Sequence, residues 1–106
     1  MEVIEERRRE LRRRLRLAEE FVEDAARDLG PLTAVVIGST SRGDFNEWSD
    51  VDVVVVSGSF DENPLRRFDR LVPHLRPGIE PIPMRPSDLL RLAEKGAPMA
   101  LEAVSY

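Results

Sequence analysis

The stretch SDVDVVVV (Ser49–Val56) decides how the chain is read. Four consecutive valines and a fifth two residues earlier form the strongest strand signal in the sequence, because β-branched side chains suit a pleated, buried surface. Side chains alternate between the two faces of a strand. Val51, Val53 and Val55 are therefore expected in a core, with Asp50 and Asp52 sharing the opposite face. Two carboxylates that close repel one another, and each raises the other's pKa or recruits a cation.

Working outward, TAVVIG (Thr33–Gly38) reads as a short apolar strand, and STSRGDFNEWS (Ser39–Ser49) as turn and loop, with one helical turn after Gly38. Residues 2–29 predict one long helix, with apolar positions at Ile4, Leu11, Leu15, Ala18, Val22, Ala25 and Leu29. Gly30-Pro31 stops it. The turns from Glu2 to Arg14 carry few apolar residues and are expected to overhang the core. Glu5–Arg9 and Glu10–Arg14 are spaced as i,i+4 ion pairs. Glu2–Arg16 holds seven Arg against four Glu, a net +3, and reads as a solvated face with some room for an acidic partner.

PLRRFDRLVPHL (Pro64–Leu75) predicts a helix buried through Leu65, Phe68, Leu71/Val72 and Leu75 and shortened by Pro73. IEPIPM (Ile79–Met84) predicts a strand whose prolines confine it to an edge or a strand end. Ser87 is expected to cap the helix DLLRLAEK, and PMALEAVS to form a last short one. The order α-β-β-α-β-α-α gives an α/β or α+β fold, a small mixed sheet of three or more strands with helices mainly on one face. A single domain over 1–106 is expected from the length.

Composition narrows the classes. With 42% hydrophobic and 34% charged residues the chain is globular. It has no cysteine, so disulfides and thiolate-held zinc are excluded. No apolar run nears the roughly 20 residues that span a bilayer. The N-terminus has no apolar signal region, and a cytoplasmic location is expected. The net charge of −4 does not suggest nucleic-acid binding.

The acids carry the functional reading. Asp50 and Asp52 suit a hard, oxygen-liganded ion, Mg²⁺ or Mn²⁺. Mg²⁺ takes one or two protein carboxylates and completes its shell with water and phosphate, so the pair also predicts a phosphate-bearing substrate. Gly38 lets the backbone approach a phosphate. Free N–H groups beyond it, the Ser39 hydroxyl and the Arg42 guanidinium suit an anion. Glu80, set among Ile and Pro, is the third acid, either a ligand of a second metal or the base for an incoming hydroxyl. Two metals about 4 Å apart would activate the attacking oxygen and stabilise the leaving pyrophosphate. Plainer readings stand beside these. Asp50 could cap a turn, Glu80 could guard a strand edge, and Arg42 could pair with Asp44 or Asp50. His74 suits a helix C-terminus, and Trp48 could cover the core edge.

Gly38-Ser39, ten intervening residues, then Asp50-Val51-Asp52 and a later strand acid resemble the minimal nucleotidyltransferases of the DNA polymerase beta superfamily. The resemblance runs roughly from Thr33 to Met84. It implies transfer of a nucleoside monophosphate, AMP from ATP, to a hydroxyl, with Mg²⁺ and release of pyrophosphate. It implies triphosphate contacts at Gly38, Ser39, Ser41 and Arg42, and catalytic metal ligands at Asp50, Asp52 and Glu80. Ser41 replaces the usual alanine, and Glu80 stands where many members have Asp. Members of this size often stand beside a helical HEPN-type toxin, which implies an antitoxin that adenylylates a tyrosine of that partner. The alternatives are a non-catalytic module that neutralises a partner by binding, and a small-molecule nucleotidyltransferase. The overhanging helix also predicts a heteromer or homo-oligomer.

Overall fold

The computed structural model describes residues 2–38 and 50–94. Helix α1 (Glu2–Leu29) leads into strand β1 (Thr33–Ile37), and strand β2 (Val51–Val56) into helix α2 (Pro64–Leu71). A 3₁₀ turn (Val72–His74), strand β3 (Ile79–Met84) and helix α3 (Pro86–Glu94) follow. The turn expected over Ser39–Ser49 and the last short helix lie outside the described residues.

The sheet order is β1-β2-β3, antiparallel between β1 and β2 and parallel between β2 and β3. The valine run becomes the central strand because both its faces are buried. Val51, Val53 and Val55 join Phe21, Ala25, Leu71 and Ile79 in one core. Val54 and Val56 join Val35, Ile37 and Met84 in a second, against which Leu89 and Leu92 of α3 pack. Two helices thus cover one face and α3 the other. Burying one such valine stabilises by roughly 1.5–3 kcal/mol relative to leaving it in water, so β2 anchors the sheet.

Helix α1 buries Ala18, Phe21, Ala25 and Leu29. Phe21, rather than the half-buried Val22, is the deep residue of that face. Ile4 through Arg9 are exposed, as the overhang requires. Arg14 departs from it: the side chain is buried and its Nε donates to Glu10 at 3.1 Å. The Glu5–Arg9 pair forms at 4.0 Å. Gly30, at φ 82°, ends the helix and donates its N–H to the Ala26 carbonyl.

Helix α2 opens on Asn63, whose side chain accepts from the Leu65 N–H, and Pro73 ends the α-helical run as expected. Its burial overturns the sequence expectation. Only Arg67 and Leu71 are buried, while Leu65, Phe68, Val72 and Leu75 are exposed. Arg67 can sit inside because each part of its guanidinium has a partner: the carbonyls of Asp61 and Glu62 and the Asp88 carboxylate. Helix α3 begins at Pro86, so Ser87 lies inside it rather than capping it. The cap is Asp88, which reaches back to accept the Arg85 N–H at 2.9 Å.

On β3, alternation points residues 80, 82 and 84 toward β2 and 79, 81 and 83 toward the outer edge. The bonds Val51 N–H to Gly78 carbonyl and Ser57 N–H to Met84 carbonyl fix that parity. Pro81 and Pro83 therefore face outward, where the missing donors break no ladder.

Candidate active site

Three acids meet at one end of the sheet. Asp52 is the second residue of β2, half-buried, and sits directly opposite Ile37 on β1 and Glu80 on β3. Cross-strand neighbours lie close enough for their charges to interact. Asp50, exposed, is the residue before β2. The bond from the Val51 N–H to the Gly78 carbonyl, 2.8 Å, holds the start of β2 against the turn that launches β3. That turn uses Gly78 at φ 90°. It delivers Glu80 beside Asp52.

The electrostatics follow from this crowding. Burial, then the charge and hydrogen-bonding contact of Glu80, then the charge of Asp50, push the Asp52 carboxyl above its ordinary value of 3.8. Gly38, just beyond β1 at φ 72°, lies against the same carboxylate: a Cβ placed there would be 2.7 Å from Asp52 Oδ2. Glycine is required twice over, by the left-handed backbone and by the close approach. The bare Cα keeps the space beside Asp52 open.

The donors fit a hard divalent cation in kind, being carboxylate oxygens only, and in charge, since Asp52 is disfavoured as an anion until a cation arrives. Among the described residues no three acidic or imidazole side chains converge as a ready-made metal centre. A Mg²⁺ ion that takes one or two protein carboxylates and draws its other ligands from phosphate does not need one. Ser39, Ser41, Arg42 and Trp48 lie outside the described residues.

A cleft of about 530 Å³ opens beside the acids. Asp50, Glu80 and Arg76 line it together with Phe68, Leu75, Pro77, Ile79 and Pro81. Sequence reasoning missed it by assigning Phe68 and Leu75 to the core. The adjacent apolar pair Leu71-Val72 was the available signal, because it allows two different faces of α2 to look buried. A second groove, about 320 Å³ between α1 and β1, is lined by Leu15, Ala18, Val22, Ala34 and Val36. Its acids, Glu19 and Glu23, belong to α1, and neither Asp50 nor Glu80 borders it. It is not where the chemistry gathers.

His74 lies elsewhere, packed on α1 with Nε2 3.1 Å from Asp28 and Nδ1 3.6 Å from Asp24. Arg76 reaches Glu20 and Asp24, and Arg70 reaches Asp28. This is an ion-pair ladder between elements.

The mixed three-stranded sheet has one acid just before its central strand, one within it, and a glycine at the end of the neighbouring strand. The profile of the nucleotidyltransferase domain matches residues 15–96, and the chain belongs to that family. In structure it is similar to a candidate nucleotidyltransferase from Sulfolobus solfataricus, whose crystal structure was determined at 1.40 Å resolution, with a TM-score of 0.71 and 28% identity. That match covers 80% of this chain and 78% of the other. Comparison with curated proteins finds no significant match. No helix among the described residues is long and apolar enough to cross a membrane.

Proposed function

We propose that the chain moves AMP from ATP to a protein hydroxyl, with Mg²⁺ as cofactor, in the cytoplasm. The observation that carries this reading is the meeting of Asp50, Asp52 and Glu80 at one end of the sheet, with the bare Cα of Gly38 against Asp52. Asp50 and Asp52 hold the metal. When bound, Mg²⁺ supplies positive charge that offsets the triphosphate and the leaving pyrophosphate. Gly38 admits a phosphate close to the strand end, and Ser39, Ser41 and Arg42, which follow it in sequence, bind the triphosphate. Glu80 joins the metal ligands or accepts the proton of the incoming hydroxyl. The family resemblance suggests a tyrosine of a HEPN-type helical partner as acceptor, which makes the chain an antitoxin.

Incubation with magnesium and ATP labelled at the α-phosphorus tests the reading. Label is expected on a partner protein, and the double change Asp50→Asn, Asp52→Asn should abolish it. If that double variant still protects cells and still forms the complex, the protein acts by binding alone and the enzymatic reading fails.

A further inference from the structure

We infer that the outer face of α2, continued through the 3₁₀ turn to Leu75, is the docking surface for the acceptor protein. The inference rests on the nucleotidyl-transfer reading above and adds where the acceptor is held. Leu65, Phe68, Val72 and Leu75 recur in steps of three, four and three, the spacing of a helix-binding seam. None of the four is buried: Leu65 is 86% exposed and Val72 50%. Phe68 and Leu75 also line the cleft that opens on Asp50 and Glu80. The stripe is thus continuous with the candidate active site.

The position within the sheet gives the stripe its role. Gly38, on the β1 side of Asp52, marks the donor side. Glu80 and the cleft lie on the β3 side. A hydroxyl entering along α2 would meet the α-phosphorus across the carboxylates. Its oxygen bonds to that phosphorus and the α–β bridging P–O bond breaks. Pyrophosphate leaves with the electron pair, and the hydroxyl proton passes to a carboxylate.

The stripe also defines the occupant. Leu65 and Val72 lie outside the cleft, and from one to the other α2 runs roughly 10 Å. A small acceptor would fill the cleft and leave both in water. A nucleic acid needs several free cations, but Arg67, Arg70 and Arg76 are each held by a carboxylate, which leaves Arg66 as the exposed arginine of α2 without an ion pair among the described residues. A second copy would set one acid-lined cleft against another. What fits is a protein with an apolar ridge that presents a hydroxyl side chain. The exposed Asp61, Glu62 and Asp69 beside the stripe call for Lys or Arg flanking that ridge.

The test uses α-labelled ATP and magnesium. Protein, nucleic-acid and small-molecule fractions of the native cell extract are offered separately to the wild-type chain and to the double variant Leu65→Asp, Val72→Asp. Label should enter the protein fraction and fall about tenfold or more in the variant. Binding of labelled ATP and the melting temperature should not change, since both positions face solvent. Leu65→Met, Val72→Ile should restore labelling. Undiminished labelling by the Asp variant, or label in the nucleic-acid or small-molecule fraction, would overturn the docking surface while leaving nucleotidyl transfer intact. Sedimentation showing stripe-dependent self-association would also overturn it. If wild type labels nothing, the nucleotidyl-transfer reading itself fails, and the docking role with it.

Discussion

Two groups of three acids are treated differently by the fold, although Arg76, which pairs with the first group, also borders the cleft lined by Asp50 and Glu80. Glu20, Asp24 and Asp28 follow at intervals of four along α1, and each faces a basic side chain from another element: Arg76, His74 or Arg70. Hydrogen bonding from His74 holds the Asp28 carboxyl below its ordinary range. Asp50, Asp52 and Glu80 gather at the end of the sheet with no ion pair to a basic side chain among the described residues, and their crowding pushes Asp52 the other way. Acids that hold the fold together are matched by the fold's own cations. Among the described residues the sheet-end acids have no such basic partner, the arrangement that the proposed metal role requires.

The comparison can be broken most sharply at Asp52. Asp52→Asn should lower nucleotidyl transfer by about 10²–10³-fold, the usual cost of losing one charge-stabilising group at a reacting centre. The same change should not lower the melting temperature, because it removes a repulsion. A destabilised variant would move Asp52 into the structural group.

Arg67 and Asp88 represent the matched kind in a partly buried setting. Arg67→Met takes the donor from two carbonyls and one of three donors from Asp88, which keeps Arg91 and the Arg85 N–H, and should cost about 1–3 kcal/mol in denaturant unfolding. Gly38→Ala should cost about 1–2 kcal/mol from the left-handed backbone alone. It should also lose transfer activity by displacing the Asp52 carboxylate, a pairing that separate unfolding and labelling assays would show.

Acid titration in metal-free buffer should separate the groups by sign. Asp52, with its pKa raised on folding, favours the fold fully below 3.8, and that contribution is lost as pH rises through the higher folded value. Asp28 and Asp88, with lowered values, contribute above 3.8 and lose it as pH falls through the folded values. On acidification, wild type should therefore gain stability relative to Asp52→Asn and lose stability relative to Asp88→Asn. The smallest effect belongs to the ladder's exposed pair: Arg70→Gln should cost less than about 1 kcal/mol and shrink further in high salt.

Much of this contrast was legible in the sequence. The valine run, the two carboxylates before and within it, and the prolines of β3 each carry a local signature, and the three strands lie where those signatures place them. Glu80 was suspected from its apolar surroundings, but its register opposite Asp52 was not readable, because parallel pairing is fixed by packing between distant segments. Helix α2 misled for a related reason. Its apolar residues fit two stripes 100° apart, and periodicity alone does not say which one meets the sheet. Leu71 won because Arg67, one turn before it, found carbonyl and carboxylate partners inside. The α1 ladder was invisible: His74 and Asp28 are 46 positions apart.

The outward side of β3 has one more consequence. Of its three outward-facing positions, Pro81 and Pro83 lack an amide hydrogen, and the Ile79 N–H is already engaged by the Arg76 carbonyl. That rim offers oxygen atoms but no hydrogen to share, so a stray β-strand from an unfolded neighbour finds no ladder there, and this edge of the sheet, though not the β1 edge, is guarded against amyloid-like growth beside its own working cleft.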